Sequence, residues 1–195
     1  MLLFATIADN ERRHQEVAVD DSLLIGVAEG DRQAFTEQAF TELYHAAGQS
    51  IYAYALSILK NPTEAEDALQ DTFLKVRAAA ALYKPQGKPM AWILTITRNI
   101  CLMKLRQKKS VSFFPLDSLD EPAALDQITD LEDRLVLQTA LRVLGDEECQ
   151  IIVLHAVTGW KHREIAQQLG MPLSTVLSKY RRGLNQLRTE LEGVL

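Results

Sequence analysis

Between Glu164 and Leu184 the chain reads EIAQQLGMPLSTVLSKYRRGL, and residues there recur at separations with a chemical meaning. Ala166, Gly170 and Val176 fit two helices crossing at a tight turn. The small residue lets the helices approach, the glycine four residues on turns the chain, and the apolar residue six beyond it locks the second helix. Ile165, Leu169 and Met171 add apolar contacts at matching steps. Pro172 is expected to stop the first helix and Ser174 to cap the second. Beyond that cap Val176, Tyr180, Leu184, Leu187 and Leu191 form one apolar stripe, while Thr175, Ser178, Lys179, Arg181, Arg182 and Arg188 fall opposite. Hydroxyls near a helix start can hydrogen-bond base edges, and cations behind them can neutralise phosphates. An ordinary helical hairpin with a solvated basic face would show much of the same pattern.

That chemistry conflicts with the bulk charge. The 195 residues carry 26 acids against 21 lysines and arginines, a net −5, whereas affinity for a polyanion comes mainly from cations. The charge map eases the conflict. From Arg98 to Lys109 the bases Arg98, Lys104, Arg106, Lys108 and Lys109 occur with no acid. From Asp117 to Asp133 the acids Asp117, Asp120, Glu121, Asp126, Asp130, Glu132 and Asp133 occur with no base. From Lys161 to Arg188 the chain is basic again, Glu164 excepted.

The elements that would position these residues are helical. Periodicity appears from Ser22, from Ala39 to Leu59, from Thr63 to Leu82 and from Met90 to Arg106. Pro62 and Thr63 ahead of several acids suit a helix N-terminus and its dipole. Further on, 128–144 is periodic, and DEECQIIVLHAVTG follows with Asp146 as the expected cap and Gly159 as the stop. The acidic stretch with Pro115 and Pro122 lacks periodicity and reads as a flexible linker. The expected architecture is all-α: an extension over 1–21, a helical domain over 22–108, an acidic linker over 109–126 and a four-helix domain with a helix-turn-helix over 127–195. In AFTEQAFTELY the two copies face about 140° apart on a helix, so Phe35 and Phe40 are not equivalent. The repeat reads as a short duplication lengthening a helix start or a loop.

Several function classes find no support. There is no Walker loop, nucleophile elbow or HExxH motif, so no catalytic residue, cofactor, metal or small-molecule substrate is expected. Cys101 and Cys149 lie far apart and read as small apolar residues of a reducing compartment, with a redox pair or a zinc site beside His155 or His162 as the less favoured reading. No apolar run is long enough to span a bilayer, and MLLFATIADNERR is a poor signal peptide. A cytoplasmic location is the expectation.

With these residues assembled, the chain resembles bacterial RNA polymerase sigma factors of the extracytoplasmic-function group in the sigma-70 family. The resemblance rests on GDRQAF, AEDALQDTFLKV and AWILTITRNICLMKLR in the first domain. In the second it rests on the stretch from LGDEECQIIVLHAVTG to MPLSTVLSKYRRGLNQLR. It implies three roles. Asp67, Gln70 and Asp71, which share a helix face, would dock on the coiled coil of the polymerase's largest subunit. Tyr83, Lys84 and Lys88, with Arg98, Asn99, Lys104 and Arg106 on the next helix, would open and read the −10 promoter element; unpaired bases call for aromatic contacts beside cations. Trp92 could stack there too, but its spacing with Ile96 and Ile100 favours a core position. Ser174, Thr175, Ser178, Lys179, Arg181 and Arg182 would meet the −35 element as duplex, with Lys161 and Arg163 clamping phosphates. The chain departs from the family pattern at Leu177 and Leu184, often bases, and at Lys161, often a Ser or Thr cap.

The resemblance implies core RNA polymerase and promoter DNA as partners, and an anti-sigma factor, often membrane-anchored, as a controller. Two other readings remain: a stand-alone helix-turn-helix regulator, and a sigma-like regulator that binds proteins rather than promoters. The second basic segment, Tyr83 to Lys109, separates them, because a simple repressor needs only one DNA-contacting site and a sigma factor needs two.

Overall fold

The computed structural model describes residues 19–28, 33–85, 87–109 and 131–192. Among them are eight α-helices, one 3-10 turn and no strand: α1 (Asp21–Ala28), α2 (Gln33–Leu59), α3 (Pro62–Ala79), the 3-10 turn (Ala80–Leu82), α4 (Pro89–Lys109), α5 (Leu131–Val143), α6 (Asp146–Thr158), α7 (His162–Leu169) and α8 (Leu173–Glu192). The chain separates into two compact units, one holding α1–α4 and one holding α5–α8. Lys109, expected in the linker, closes α4; the rest of the expected linker and most of the expected N-terminal extension lie outside the described residues. No described helix is long and apolar enough to cross a membrane.

In the first unit α2 is the post on which the others lean. Its 27 residues span about 40 Å at 1.5 Å per residue. Helices α1, α3 and α4 each pack against it, and α3 packs against α4. Leu24, Leu43, Ile51, Tyr52, Tyr54, Leu56, Ile93 and Leu94 are fully buried between them. Each large apolar side chain so placed contributes about 1.5–3 kcal/mol relative to exposure. The unit begins a little before Ser22, since Val19 is buried and the Asp20 carboxylate accepts the Ser22 and Leu23 amides at 2.8 and 3.3 Å. Helix α3 starts as its sequence indicates. Asn61 accepts the Glu64 amide at 3.0 Å, and Pro62 occupies the first turn, where an amide would have no partner. Of the two phenylalanines in the AFTEQ repeat, Phe40 packs edge-on against Phe73 at 5.7 Å beneath the Arg77 guanidinium; the Phe35 side chain lies outside the description.

In the second unit α6 is central, packing against α5, α7 and α8. Leu137, Ala140, Cys149, Ile151, Ile152, Val153, Leu154, Ile165, Val176 and Leu187 form its core. Cys101 and Cys149 form no disulfide, each being buried in its own unit, and burial pushes the Cys101 thiol up to about 12. Two capping expectations move by one or two residues. Gly145, not Asp146, is the N-cap of α6, and Asp146 joins Glu147 and Glu148 in the first turn, where the helix dipole favours acids. Gly159 ends α6 in the left-handed conformation, φ +67°.

Candidate functional site

Helices α7 and α8 form the helix-turn-helix. At the end of α7 the Met171 amide bonds to the Ala166 carbonyl at 3.0 Å and the Gly170 amide to Gln167 at 3.3 Å. This pair of reversed bonds closes a helix through a left-handed residue, and Gly170 has φ +67° with open space around it. The glycine thus ends α7 before Pro172 is reached. Pro172 instead begins the next helix: its carbonyl accepts the Thr175 and Val176 amides at 3.0 and 3.1 Å. Ser174 therefore sits inside the first turn of α8, exposed, rather than at its cap.

Val176 and Leu187 of the expected stripe are buried and Tyr180 and Leu184 half-buried, as is Leu177; Leu191 lies outside the side-chain description. Tyr180 meets the rings of His155 and His162 edge-on, at centroid distances of 5.0 and 4.4 Å. The two imidazoles stack at 4.7 Å, and His155 Nδ1–H donates to the Trp160 carbonyl at 2.8 Å. One aromatic cluster thereby ties α6, α7 and α8 together. Among the described residues no group of three or more His, Cys, Asp or Glu is arranged to hold a metal ion.

Ser174, Ser178, Arg181 and Arg182 of α8 are exposed, as are Lys161 and Arg163 at the start of α7, and Thr175 is half-buried. Lys161 stands at the cap of α7. Its ammonium has no acceptor to offer, so only half of a capping box forms, with the Glu164 carboxylate taking the Lys161 amide at 3.0 Å. Two of the cations are already engaged. Lys179 pairs with Glu147 at 2.7 Å and with Glu148 at 3.4 Å, and Arg182 pairs with Glu148. Burial raises the Glu148 pKa, but the Arg182 hydrogen bond, a backbone amide and the charges of Lys179 and Arg182 outweigh it and hold the carboxyl below the usual glutamate value.

The candidate −10 residues occupy two places. Tyr83, Lys84 and Lys88 surround the break before α4, the lysines exposed and the tyrosine half-buried. This loop is anchored from afar. The Asp21 carboxylate accepts the Tyr83 hydroxyl and, at 2.9 Å, the Gly87 amide. Tyr83 packs on Trp92 with ring centroids 5.1 Å apart. Trp92 is half-buried, and the stripe that α4 buries is Ile93, Leu94, Thr97, Ile100 and Cys101. The core expectation for Trp92 is corrected accordingly: helical spacing placed it near the core face, but the residue lies at its edge. Neither the Trp92–Tyr83 pairing nor the Asp21 anchor carries a sequence signal.

On α4 itself Asn99 and Arg106 are exposed and lie within about 20° of one another around the axis. Arg98 is half-buried beside the Tyr54 hydroxyl, whose pKa burial raises and the Arg98 charge lowers, with burial prevailing. Lys104 is displaced from Asn99 by about 140° and faces α3. Its ammonium bridges Asp71 at 3.1 Å and Asp67 at 4.0 Å, and one turn on Lys108 pairs with Glu64. The structure thus brings Lys104, expected at the −10 element, together with the carboxylates expected at the polymerase. Those carboxylates stay accessible, with 60% of the Asp67 and 48% of the Asp71 side chain exposed, and Gln70 beside them is exposed as well.

Residues 43–111 match the Sigma-70 region 2 family and residues 134–187 the Sigma-70 region 4 family. An ECF RNA polymerase sigma factor, SigK of Mycolicibacterium vanbaalenii, is 30% identical over 176 residues, covering 86% of this chain and 87% of that protein. Two solved structures share the fold. CnrH in complex with the cytosolic domain of CnrY superposes with a TM-score of 0.61 at 23% identity, over 90% of this chain and 99% of that one. The sigma factor RpoE in complex with the anti-sigma factor NepR from Bartonella quintana gives 0.59 at 22%, over 80% and 98%. Taken with the helix-turn-helix in one unit and the acid-faced helix in the other, these matches establish that the chain belongs to the extracytoplasmic-function sigma factors of bacterial RNA polymerase.

Proposed function

We propose that the protein joins core RNA polymerase and directs initiation at promoters bearing a −10 and a −35 element, with no catalysis of its own, in the cytoplasm. Asp67, Gln70 and Asp71 on α3 form the docking face. Tyr83, Lys84, Lys88, Arg98, Asn99 and Arg106 meet the opened −10 strand, with Trp92 beside Tyr83 as a further stacking surface and Lys104 at the boundary with the docking face. Ser174, Thr175, Ser178 and Arg181 of α8 address the −35 duplex, flanked by Lys179 and Arg182 and by Lys161 and Arg163 on α7. A first domain running from a little before Ser22 to Lys109 and a second over 127–195, joined by an acidic flexible linker, belong to the same reading. An anti-sigma factor is the proposed controller, by analogy with the RpoE–NepR complex.

The observation that carries this reading is the presence, in one chain and in family order, of a helix-turn-helix and a separate loop-and-helix surface with its own cations. Gel filtration with core polymerase tests it. Co-elution of the chain with core enzyme is expected. Failure to co-elute, together with dimeric binding to duplex DNA by the protein alone, favours a stand-alone regulator instead.

A further inference from the structure

Acids in the first turn of a helix need no function, because the dipole favours them. Glu147 and Glu148 at the start of α6 are unusual in what they hold. Glu148 is only 8% exposed, and its carboxylate takes both the Arg182 guanidinium and, at 3.4 Å, the Lys179 ammonium. Glu147 takes the same ammonium at 2.7 Å. The two helices pass close to one another at Gly183. A Cβ there would stand 2.7 Å from Ile152 Cδ1, the free end of that side chain, and at ordinary contact, 3.5 Å, from Glu148 Cβ. Lys179 and Arg182 lie three residues apart on one face of α8, and both reach the same carboxylate. The charge of a cation held this way is already offset by a carboxylate of its own unit, so it has less to give a phosphate, and pulling it away strands a largely buried carboxylate.

We infer that Glu148 is a positioning residue that limits the phosphate grip of the duplex reader: it seats α8 on α6 and withholds Arg182 and, together with Glu147, Lys179 from the phosphate backbone. Grip then comes from Lys161, Arg163 and Arg181, and sequence choice from the hydroxyls near the start of α8. The effect falls on non-specific binding, which is governed by the number of phosphates neutralised. Restraining two cations lowers affinity for every sequence alike, which weakens solitary binding and leaves the contrast between right and wrong sites to the base-reading residues. The inference rests on the reading of α7–α8 as the −35 reader.

The test uses the full chain and a fluorescein-labelled duplex of random sequence, with binding followed by anisotropy across a salt series. Glu148→Gln is expected to steepen the dependence of log K on log salt by about 0.9 for each cation released. Arg182→Ala in the wild-type background is expected to leave the slope unchanged, and in the Glu148→Gln background to lower it by about 0.9. A wild-type slope for folded Glu148→Gln, or a fall of about one for Arg182→Ala alone, overturns the inference. If Glu148→Gln melts below the assay temperature, Arg182→Ala decides by itself. A separate variant, Lys161→Gln with Arg163→Gln and Arg181→Gln, tests the underlying reading. A lowered slope there with no change in Glu148→Gln removes only the inference, whereas an unchanged slope removes the duplex reader itself.

Discussion

Reversing the charges proposed for docking, Asp67→Lys with Asp71→Lys, separates binding from folding by magnitude. Within the unit the change breaks the pairs to Lys104 at 3.1 and 4.0 Å and sets like charges beside that lysine. Both aspartates are about half exposed or more, and exposed pairs contribute at most about 1 kcal/mol each. The fold should lose about 1–2 kcal/mol, or about 5–15 °C in Tm. A domain stable by about 5–15 kcal/mol survives that. Across an interface, removing one partner of a desolvated charge pair costs about 2–5 kcal/mol, so affinity for core polymerase should fall by at least about thirtyfold. Titrating labelled protein with core enzyme gives the affinity, and a melt followed by circular dichroism gives the stability. A folded variant that binds core within about threefold of wild type would refute the docking assignment.

Three further expectations concern the scaffold. Asn61→Ala removes the acceptor of the Glu64 amide and should cost about 1 kcal/mol, with Asn61→Gly losing only a few tenths; a denaturant midpoint equal to wild type for the alanine variant would contradict this. The Glu148 carboxyl lies below its ordinary value of 4.5 in the folded protein. The stability it contributes is present above the unfolded value and is lost as pH falls through the folded one, so wild type should lose more stability than Glu148→Gln on acidification below pH 4.5. Equal losses would remove Glu148 from the account of acid sensitivity. The Cys101 thiol, pushed up to about 12 by burial, should resist iodoacetamide at neutral pH until the protein unfolds; rapid native alkylation would place it at the surface.

How much could be read in advance depended on how far apart the interacting groups lie. The turn at Gly170 was legible because its determinants, Ala166, Gly170 and Val176, fall within eleven residues and act through local backbone geometry. The caps were legible only to within a residue or two: Ser174 and Asp146 have capping side chains, but the chain directions around Pro172 and Gly145 chose the cap positions. Trp92 shows the limit of periodicity, which names a face without saying where its edge lies. The Asp21 anchor of Tyr83 and Gly87 joins residues 62 and 66 positions apart, and nothing local marks it.

The charges were the hardest to read. A lysine on a helix face looks the same in sequence whether it is solvated or paired, so Lys104, Lys179 and Arg182 read as DNA contacts. In the structure each meets carboxylates of its own unit. These pairs sharpen the puzzle of an acidic DNA reader. Part of the basic charge is neutralised within the protein.

The central claim is that this chain confers promoter choice on core polymerase. Run-off transcription with core enzyme on genomic fragments, followed by mapping of the start sites, tests it most directly. Discrete starts are expected that appear only when the protein is added, are preceded by two shared sequence elements, and are lost with Asp67→Lys and Asp71→Lys. Transcription that is unchanged by the protein, or starts that share no upstream elements, would contradict it.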